Sequence, residues 1–269
     1  MKFAGLDLSR PRLMGIVNVT PDSFADAGET FDHTGAIERG LQHIKYGADC
    51  IDVGGESTRP GAAPVSVEEE CRRILPVIDA LVGENILVSV DTRHADVMVA
   101  ALAAGAKIIN DVSALSHDPK SLEVAATHGA DVILMHMRGA PYTMAGHTIY
   151  EDVVSEVRDY LQDRVRACQD AGIRPERLCV DPGIGFAKTP NQNFKLLDRL
   201  QDLMVLQRPI LVGVSRKFGL DKPPADRLDY SVSLALRAIE NGARIVRVHD
   251  VAATRRALDT WFCQRNEVK

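Results

Sequence analysis

The stretch IERGLQHIKYGADCIDVGGESTR, residues 37–59, contains one complete unit of the predicted fold. Its first part has apolar residues at helical spacing and ends at Gly47-Ala48, and glycine just past the last helical turn is a favoured C-cap. The apolar run 50–53 follows directly and predicts a strand, after which a polar loop runs from Glu56 to Arg59. The unit is therefore helix, glycine, strand and polar loop.

The same unit recurs along the chain. Gly-Ala pairs also precede apolar runs at Gly105, Gly129 and Gly242. Eight apolar or β-branched runs have the length of a strand: residues 13–19, 50–53, 86–90, 107–112, 131–136, 178–181, 210–215 and 244–249. Strands that alternate with helices pair in parallel, so eight such units predict an α/β protein with a single (β/α)8 TIM barrel.

Almost every run closes on side chains that can do chemistry, although the runs themselves are apolar. The closures are Asn18; Glu56, Ser57, Thr58 and Arg59; Asp91; Asn110 and Asp111; His136; Asp181; Ser215 and Lys217; and Arg247 and His249. Barrel enzymes build their sites at the C-terminal ends of many strands, whereas an open doubly wound sheet uses one switch point. The distribution of closures favours the barrel and predicts one site assembled from many loops.

Composition restricts the class of protein further. With 269 residues, 45% of them hydrophobic, and no linker-like tract, the chain is predicted to form one domain over residues 1–269. A net charge of -5 with scattered Lys and Arg predicts no nucleic-acid or membrane partner. The five cysteines include no C-x-x-C pair, and neither a signal-like N-terminus nor a run of roughly 18 apolar residues is present, so a cytoplasmic protein is expected.

Two segments, MGIVNVTPDSF at 14–24 and DVGGESTRPG at 52–61, closely resemble the two signature segments of the dihydropteroate synthases. The resemblance continues in order through SVDT at 89–92, IND at 109–111, MHM at 135–137, DPGIGF at 181–186, GVSRK at 213–217 and RVHDV at 247–251. It covers essentially the whole chain. It implies a transferase of the folate pathway that joins 6-hydroxymethyl-7,8-dihydropterin diphosphate to p-aminobenzoate, forming 7,8-dihydropteroate and diphosphate.

The resemblance also assigns roles to residues. The pterin is expected to contact Asp91, Asn110, Met135, Asp181, Phe186, Gly213 and Lys217. The diphosphate is expected to contact Asn18, Thr58, Arg59, Arg247 and His249, and p-aminobenzoate to contact Phe24, Thr58, Pro60, Ser215 and Lys217. The resemblance further implies a Mg2+ cofactor at Asn18, stabilisation of a pterin cation by Asp22, and a homodimer.

The chemistry of these side chains agrees with the assigned roles. A pterin presents a ring N–H beside an exocyclic amine, two parallel donors that the carboxylate of Asp181 can accept together. Arg247 and His249 stand two apart on a strand, hence on one face, and offer a phosphate two donors. Magnesium prefers oxygen ligands and keeps several waters, so the amide of Asn18 and diphosphate oxygens suffice for its shell. His136 has no predicted role beyond packing or orienting its neighbours.

The chain departs from the usual bacterial pattern at three places. Residues 218–224 read FGLDKPP where the family continues with Ser-Phe-Ile-Gly, Tyr230 replaces a glycine before Ser231, and Ala187 replaces a glycine after the Asp-Pro-Gly motif. Every pterin and diphosphate position is nevertheless filled. The departures therefore concern the p-aminobenzoate contacts and the response to sulfonamides, which mimic that substrate.

Three other functions compete with this interpretation. A pterin-binding methyltransferase barrel shares the pterin-holding residues, but it has no diphosphate to bind, and Thr58, Arg59, Arg247 and His249 argue against it. A metal-dependent barrel hydrolase should carry His-x-His on the first strand, which here offers only Asn18. A non-catalytic paralogue is expected to lose charged site residues, and this chain keeps them.

Overall fold

The computed structural model describes residues 1–20, 33–58, 61–218 and 224–266. A short antiparallel hairpin, β1 (Lys2–Phe3) and β2 (Leu6–Asp7), comes first. Parallel strands follow: β3 (Arg12–Asn18), β4 (Cys50–Gly54), β5 (Val88–Asp91), β6 (Ile108–Asp111), β7 (Asp131–Met135), β8 (Leu178–Asp181), β9 (Leu211–Val212) and β10 (Ile245–Val248). They pair in the order β8-β7-β6-β5-β4-β3-β10-β9, and a parallel bridge between Val180 and Ile210 joins the two ends. The predicted (β/α)8 barrel is confirmed.

Helices alternate with these strands and cover the outside of the barrel. They are α1 (His33–Lys45), α2 (Val67–Gly83), α3 (Ala95–Ala103), α4 (Ser121–Thr127), α5 (Val153–Asp170), α6 (Pro190–Asp198), α7 (Pro224–Glu240) and α8 (Val251–Asn266). Short 3-10 segments lie at Met144–Gly146, Pro175–Arg177 and Leu200–Leu206. The main apolar core lies between the helices and the sheet. Within the described ranges, no helix has the length and hydropathy to cross a membrane.

The helical spacing of apolar residues identifies the buried face of α5 but only part of the inward face of α1, where Ile37 and Ile44 are partly buried against the core. In α5, the apolar residues Val153, Val157, Leu161 and Val165 are all buried, as their spacing indicates. In α1, the buried residues are instead Ala36, Gly40 and His43, and Leu41 is 39% exposed. Small residues face inward there because α2 lies close: a Cβ at Gly40 would stand 2.8 Å from Leu81 Cδ2.

Glycine ends four of the helices as predicted. These four helix-ending glycines have positive φ values, from 59° to 110°: Gly47, Gly105, Gly129 and Gly242. The alanine after each of them donates its N–H to a carbonyl five residues back, as Ala48 does to His43 at 2.9 Å. This closure satisfies the last helical carbonyls and turns the chain directly into the next strand, so each helix ends where its strand can begin.

The hairpin closes the end of the barrel opposite to the polar strand ends. Phe3 and Leu8 form a separate apolar cluster with residues near the beginnings of the strands: Met14, Cys50, Ile108, Ile133, Cys179, Leu211 and Ile245. Water is thereby excluded from the N-terminal end of the barrel. A ligand can therefore reach the barrel interior from the C-terminal ends of the strands.

Candidate active site

The C-terminal ends of the strands bring most of the predicted site residues together. Strand pairing sets Asp91 opposite Asn110 and Met135 opposite Asp181. Asn18, at the end of β3, is half-buried and pairs with Gly54. The remaining described residues of the predicted site follow β4, β8, β9 and β10, and four predicted residues lie outside the described ranges: Asp22, Phe24, Arg59 and Pro60.

A buried ion-pair network forms the centre of the site. Arg247 donates from Nε to Asp52 Oδ2 at 2.5 Å and from a terminal nitrogen to Asp91 Oδ2 at 2.7 Å. Asn110 Nδ2 donates to the same Asp52 oxygen at 3.0 Å. Burial raises the pKa of Asp91 to about 7, although the Arg247 guanidinium opposes that rise. The network fixes a cation between two carboxylates at the mouth of the barrel.

A second buried pair of opposite charges lies beside this network. Lys217 donates from Nζ to the carbonyl of Ile184 at 2.7 Å, and Asp181 Oδ1 accepts the N–H of Gly183 at 2.7 Å. Burial raises the pKa of Asp181, which Lys217 opposes, and burial lowers the pKa of Lys217 to about 8, which Asp181 opposes. Each side chain makes one of these hydrogen bonds, and an ammonium or a carboxylate can make more, so both keep hydrogen-bonding capacity for a ligand.

Apolar side chains line one side of this charged centre. Met135 and Phe186 are buried in a cluster with Val112, Met137, Met144 and Ala187. The ammonium of Lys217 lies 4.3 Å from the centre of the Phe186 ring. Gly213 stands between two site residues, because a Cβ there would lie 3.7 Å from Lys217 Nζ and 3.9 Å from Arg247 Cβ. The arrangement suits a flat ring with polar edges.

The residues predicted to receive the diphosphate have different surroundings. Arg247 contacts the carboxylates of the central network. His249 instead pairs with Ser215, whose Oγ lies 3.1 Å from His249 Nδ1 and accepts the backbone N–H of His249 at 3.2 Å. Thr58 is half-buried in the loop after β4. Arg247 thus joins the part of the site predicted for the pterin to the part predicted for the diphosphate.

Two further residues at the site were given no role by the sequence analysis. Asp52, which is fully buried, holds Arg247 and Asn110, and its signal in the sequence is an acidic residue inside an otherwise apolar strand. Lys188 is buried behind the loop that follows Asp181, where its Nζ lies 2.9 Å from His136 Nδ1. The contact also gives His136 a partner, in agreement with the orienting role left open for it.

An ion pair also anchors the loop after β4, which carries Thr58. Glu56 accepts two hydrogen bonds from the guanidinium of Arg93, from Nε at 2.8 Å and from a terminal nitrogen at 2.9 Å. Both side chains are less than a tenth exposed. Arg93 follows Asp91 by two residues, so this pair fixes the loop after β4 against the strand end that carries Asp91.

The side chains at the site fit a Mg2+ ion that is held mainly by the substrate phosphates. Among the residues that the structure describes, no group of three or more His, Cys, Asp or Glu side chains is arranged to hold a metal ion. The amide oxygen of Asn18 is a ligand of the kind that Mg2+ prefers, and Mg2+ usually keeps waters and binds substrate phosphates rather than an all-protein cage. One protein oxygen is therefore enough.

The fold and the site define a barrel whose C-terminal strand ends hold buried charged groups beside an apolar wall. The family model described as "Pterin binding enzyme" matches residues 14–249, which span the barrel from β3 through β10. This chain is thus a pterin-binding barrel enzyme.

Comparison with individual proteins narrows the class. The chain is 46% identical to the dihydropteroate synthase of Escherichia coli K12 over 258 residues, 94% of this chain and 91% of that protein. It is similar to the solved Xanthomonas albilineans dihydropteroate synthase with 4-aminobenzoic acid, with 47% identity, a TM-score of 0.91, and coverage of 97% and 96% of the two chains. A Yersinia pestis dihydropteroate synthase in a sulfonamide drug complex gives 43% identity, a TM-score of 0.91 and the same coverage. The chain belongs to the dihydropteroate synthase family.

Proposed function

We propose that this chain condenses 6-hydroxymethyl-7,8-dihydropterin diphosphate with p-aminobenzoate to give 7,8-dihydropteroate and diphosphate. One observation carries the proposal: the guanidinium of Arg247 is fixed by Asp52 and Asp91 in the site that also contains Asp181 and Lys217. An immobilised cation beside groups that match a pterin is what the departure of a diphosphate requires, since preorganised charge stabilises the developing negative charge.

The pterin is held, in this proposal, by its polar edge. The carboxylate of Asp181 accepts the ring N–H and the exocyclic amine together, and Asn110 matches an edge that mixes donors and acceptors. Lys217 donates to the carbonyl side. Asp91 accepts a remaining N–H while it keeps Arg247, because a carboxylate has about four acceptor positions. The apolar cluster around Met135 and Phe186 forms the wall, and Gly213 lies beside Lys217 and Arg247.

The diphosphate is proposed to contact Arg247, His249, Asn18 and Thr58, together with Arg59 from outside the described residues. Support comes from the fixed geometry of the first two: Arg247 is held by two carboxylates and His249 by Ser215. Asn18 is proposed to hold Mg2+, which when bound would neutralise charge on the diphosphate oxygens. These side chains orient the leaving group away from the pterin methylene.

The reaction needs no covalent attachment to the protein. The C–O bond between the pterin methylene and the diphosphate breaks, the amine nitrogen of p-aminobenzoate forms the new C–N bond, and the amine loses a proton. Ser215, Lys217 and Thr58 are proposed to line the second substrate pocket with Phe24 and Pro60, and Asp22 to stabilise positive charge on the pterin. Exclusion of water by these loops protects the reactive centre from hydrolysis.

Two further properties are proposed from family membership. The Yersinia pestis relative forms a sulfonamide drug complex, so we propose sulfonamide binding in the p-aminobenzoate pocket of this chain. We also propose a homodimer. Its support is an outer surface on which Met204 and Val205 are 54% and 66% exposed, because large exposed apolar side chains favour a covered interface. Sedimentation equilibrium of the purified chain measures the second property directly.

An omission assay tests the proposed reaction. The purified chain is incubated with the pterin diphosphate, p-aminobenzoate and Mg2+, and each is left out in turn while 7,8-dihydropteroate is measured. Product should form only in the complete mixture. Failure to form product in that mixture contradicts the proposal, and methyl transfer from a folate to a corrinoid by the same preparation would support the methyltransferase alternative instead.

A further inference from the structure

Lys188 is a buried lysine that the proposed reaction does not use directly, and burial lowers the pKa of its ammonium group to about 7, which the charge of Asp181 opposes. It is 8% exposed, and its Nζ lies 2.9 Å from His136 Nδ1, 3.0 Å from the carbonyl oxygen of Gly183 and 3.0 Å from that of Phe186. The carbonyl oxygen of His136 is a fourth acceptor at 3.4 Å. An ammonium group has three N–H donors and no acceptor, so these partners satisfy its protonated form completely. A lysine is seldom buried this far unless its head group is fully paired.

The acceptors of Lys188 belong to the loop that carries the proposed pterin contacts. Gly183 donates its N–H to the carboxylate of Asp181, and Phe186 supplies the apolar wall. Between the two acceptor carbonyls lies Ile184, whose own carbonyl receives Lys217 at 2.7 Å. Lys188 therefore fixes the backbone that orients Asp181, Phe186 and the ammonium of Lys217.

The loop from Asp181 to Phe186 packs closely against the residue that follows β7, His136, and this contact restricts the backbone conformation of the loop. Gly183 has a φ of 68°, and a Cβ there would lie only 1.9 Å from the carbonyl oxygen of His136. Only glycine avoids this clash and adopts this φ without strain. The backbone of His136 and the ammonium of Lys188 thus both lie directly against Gly183.

His136 is suited to accept a hydrogen bond from Lys188. Burial, reinforced by the nearby lysine, lowers the pKa of His136 to about 2, so the imidazole is neutral and one ring nitrogen is an acceptor. The ring is oriented by Tyr160, whose ring centre lies 5.0 Å away in an edge-on arrangement. The contact with Lys188 requires the proton on the other nitrogen, Nε2.

We infer that Lys188, oriented by His136, is a positioning residue for the pterin: it holds the loop from Asp181 to Phe186 in the conformation that matches the ring. The inference rests on the proposed pterin site. Lys188 touches no reacting atom, and its effect is transmitted through Asp181, Phe186 and the carbonyl of Ile184.

The first test compares Lys188→Met with Lys120→Met, a control at an exposed lysine before α4. The dissociation constant of 7,8-dihydropteroate, the KM for each substrate and the fraction of active sites are measured. Loss of the Lys188 hydrogen bonds should displace the loop and therefore Asp181 and Phe186, which contact the pterin. Lys188→Met should thus weaken product binding and raise the KM for the pterin diphosphate by about tenfold or more. The control should match the wild type. A merely structural role lowers the active fraction and leaves the dissociation constant of the remaining sites unchanged, which would overturn the inference.

A second test separates the acceptor at residue 136 from its bulk. His136→Asn retains an oxygen acceptor, whereas His136→Leu removes it. We expect product binding by His136→Asn to remain within about threefold of the wild type, and His136→Leu to weaken it, with an effect not additive to that of Lys188→Met because both act through one contact. Equal affinities for the two His136 variants, or full additivity, contradict the inference, and this pair suffices if Lys188→Met does not fold.

These outcomes are distinct from failure of the proposed reaction. The binding measurements use 7,8-dihydropteroate and require no turnover. If the wild-type chain makes product and the Lys188 and His136 variants bind that product normally, only the positioning role is contradicted. A wild-type chain that makes no product contradicts the reaction, and normal binding by the variants still decides the role of Lys188.

Discussion

Asp52 accepts the Nε–H of Arg247 at 2.5 Å, across a separation of 195 positions in the sequence. Asp52 is fully buried on β4 and Arg247 is near the end of β10, so the pair reaches across β3, the one strand between them in the barrel. A buried charge is costly unless it is paired, and each of these groups supplies the partner that the other needs. The barrel thereby retains a cation at its catalytic end before any substrate arrives.

The first prediction concerns this pair. Asp52→Asn keeps the shape of the side chain but removes the charge that holds Arg247, so kcat should fall by about 10- to 100-fold, the range expected for a hydrogen bond to a charged group. The matched control is Asp198→Asn, which alters a surface ion pair with Arg237. Initial rates of 7,8-dihydropteroate formation check both. A wild-type kcat in Asp52→Asn would show that Arg247 does not need this partner.

The second prediction concerns the loop after β4. Glu56→Gln removes the charge that binds Arg93, and the loop carrying Thr58 should lose order. We expect kcat/KM for p-aminobenzoate to fall by about threefold to tenfold, which corresponds to roughly 1 kcal/mol. The dissociation constant of the pterin diphosphate should change less. Glu176→Gln, which alters an exposed pair with Arg174, is the control. Equal losses for both substrates would contradict a role confined to this loop.

The third prediction concerns backbone strain at Ala187. This residue has a φ of 48°, in the left-handed region that favours glycine, the residue that the family resemblance leads us to expect at this position. Ala187 is also buried in the apolar cluster, and the loss of its methyl group offsets part of the relieved strain. Ala187→Gly should therefore raise the free energy of unfolding by about 0.5 kcal/mol and the melting temperature by about 1–2 °C. In contrast, Ala100→Gly, inside α3, should lower both. Calorimetry of the two variants decides the point, and a lower melting temperature for Ala187→Gly would refute it.

The fourth prediction is a pH dependence of stability. His94 pairs with the buried Glu70 at 2.8 Å, and this hydrogen bond raises the pKa of His94 above 6.5. A raised folded pKa contributes stability that is complete below the unfolded value and is lost as the pH rises through the folded value. The stability advantage of the wild type over His94→Gln should therefore shrink as the pH rises above 6.5. Denaturant titrations of the wild type and His94→Gln at several pH values measure this difference. A constant difference for His94→Gln would contradict this linkage.

Much of this architecture could be predicted from local pattern. The apolar runs and the Gly-Ala pairs predict strands and helix ends because both depend on neighbouring residues, and parallel barrel topology then brings Asp91, Asn110 and Asp181 to one end. The hairpin of β1 and β2 could not be predicted, since two-residue strands carry no periodicity. The small residues on the inward face of α1 could not be predicted from apolar spacing, because the close approach of Leu81 to Gly40 is a contact between two helices.

For the candidate site, the residues could be predicted from the sequence, but most of the contacts between them could not. The motif residues were visible because each follows an apolar run, but their partners depend on side-chain directions across the barrel. Asp52 and Arg247 are an example, and Lys188 with His136 is another. A sequence shows which residues reach the mouth of the barrel, whereas the pairs that hold them in place become visible only in three dimensions.

The most direct test of the proposed reaction is the stoichiometry of its products. Diphosphate and 7,8-dihydropteroate are quantified together during turnover by the wild-type chain with both substrates and Mg2+. The proposed reaction predicts equal amounts of the two products, with the C–N bond to p-aminobenzoate formed once for each diphosphate released. Release of diphosphate without 7,8-dihydropteroate, or the absence of both, would contradict it.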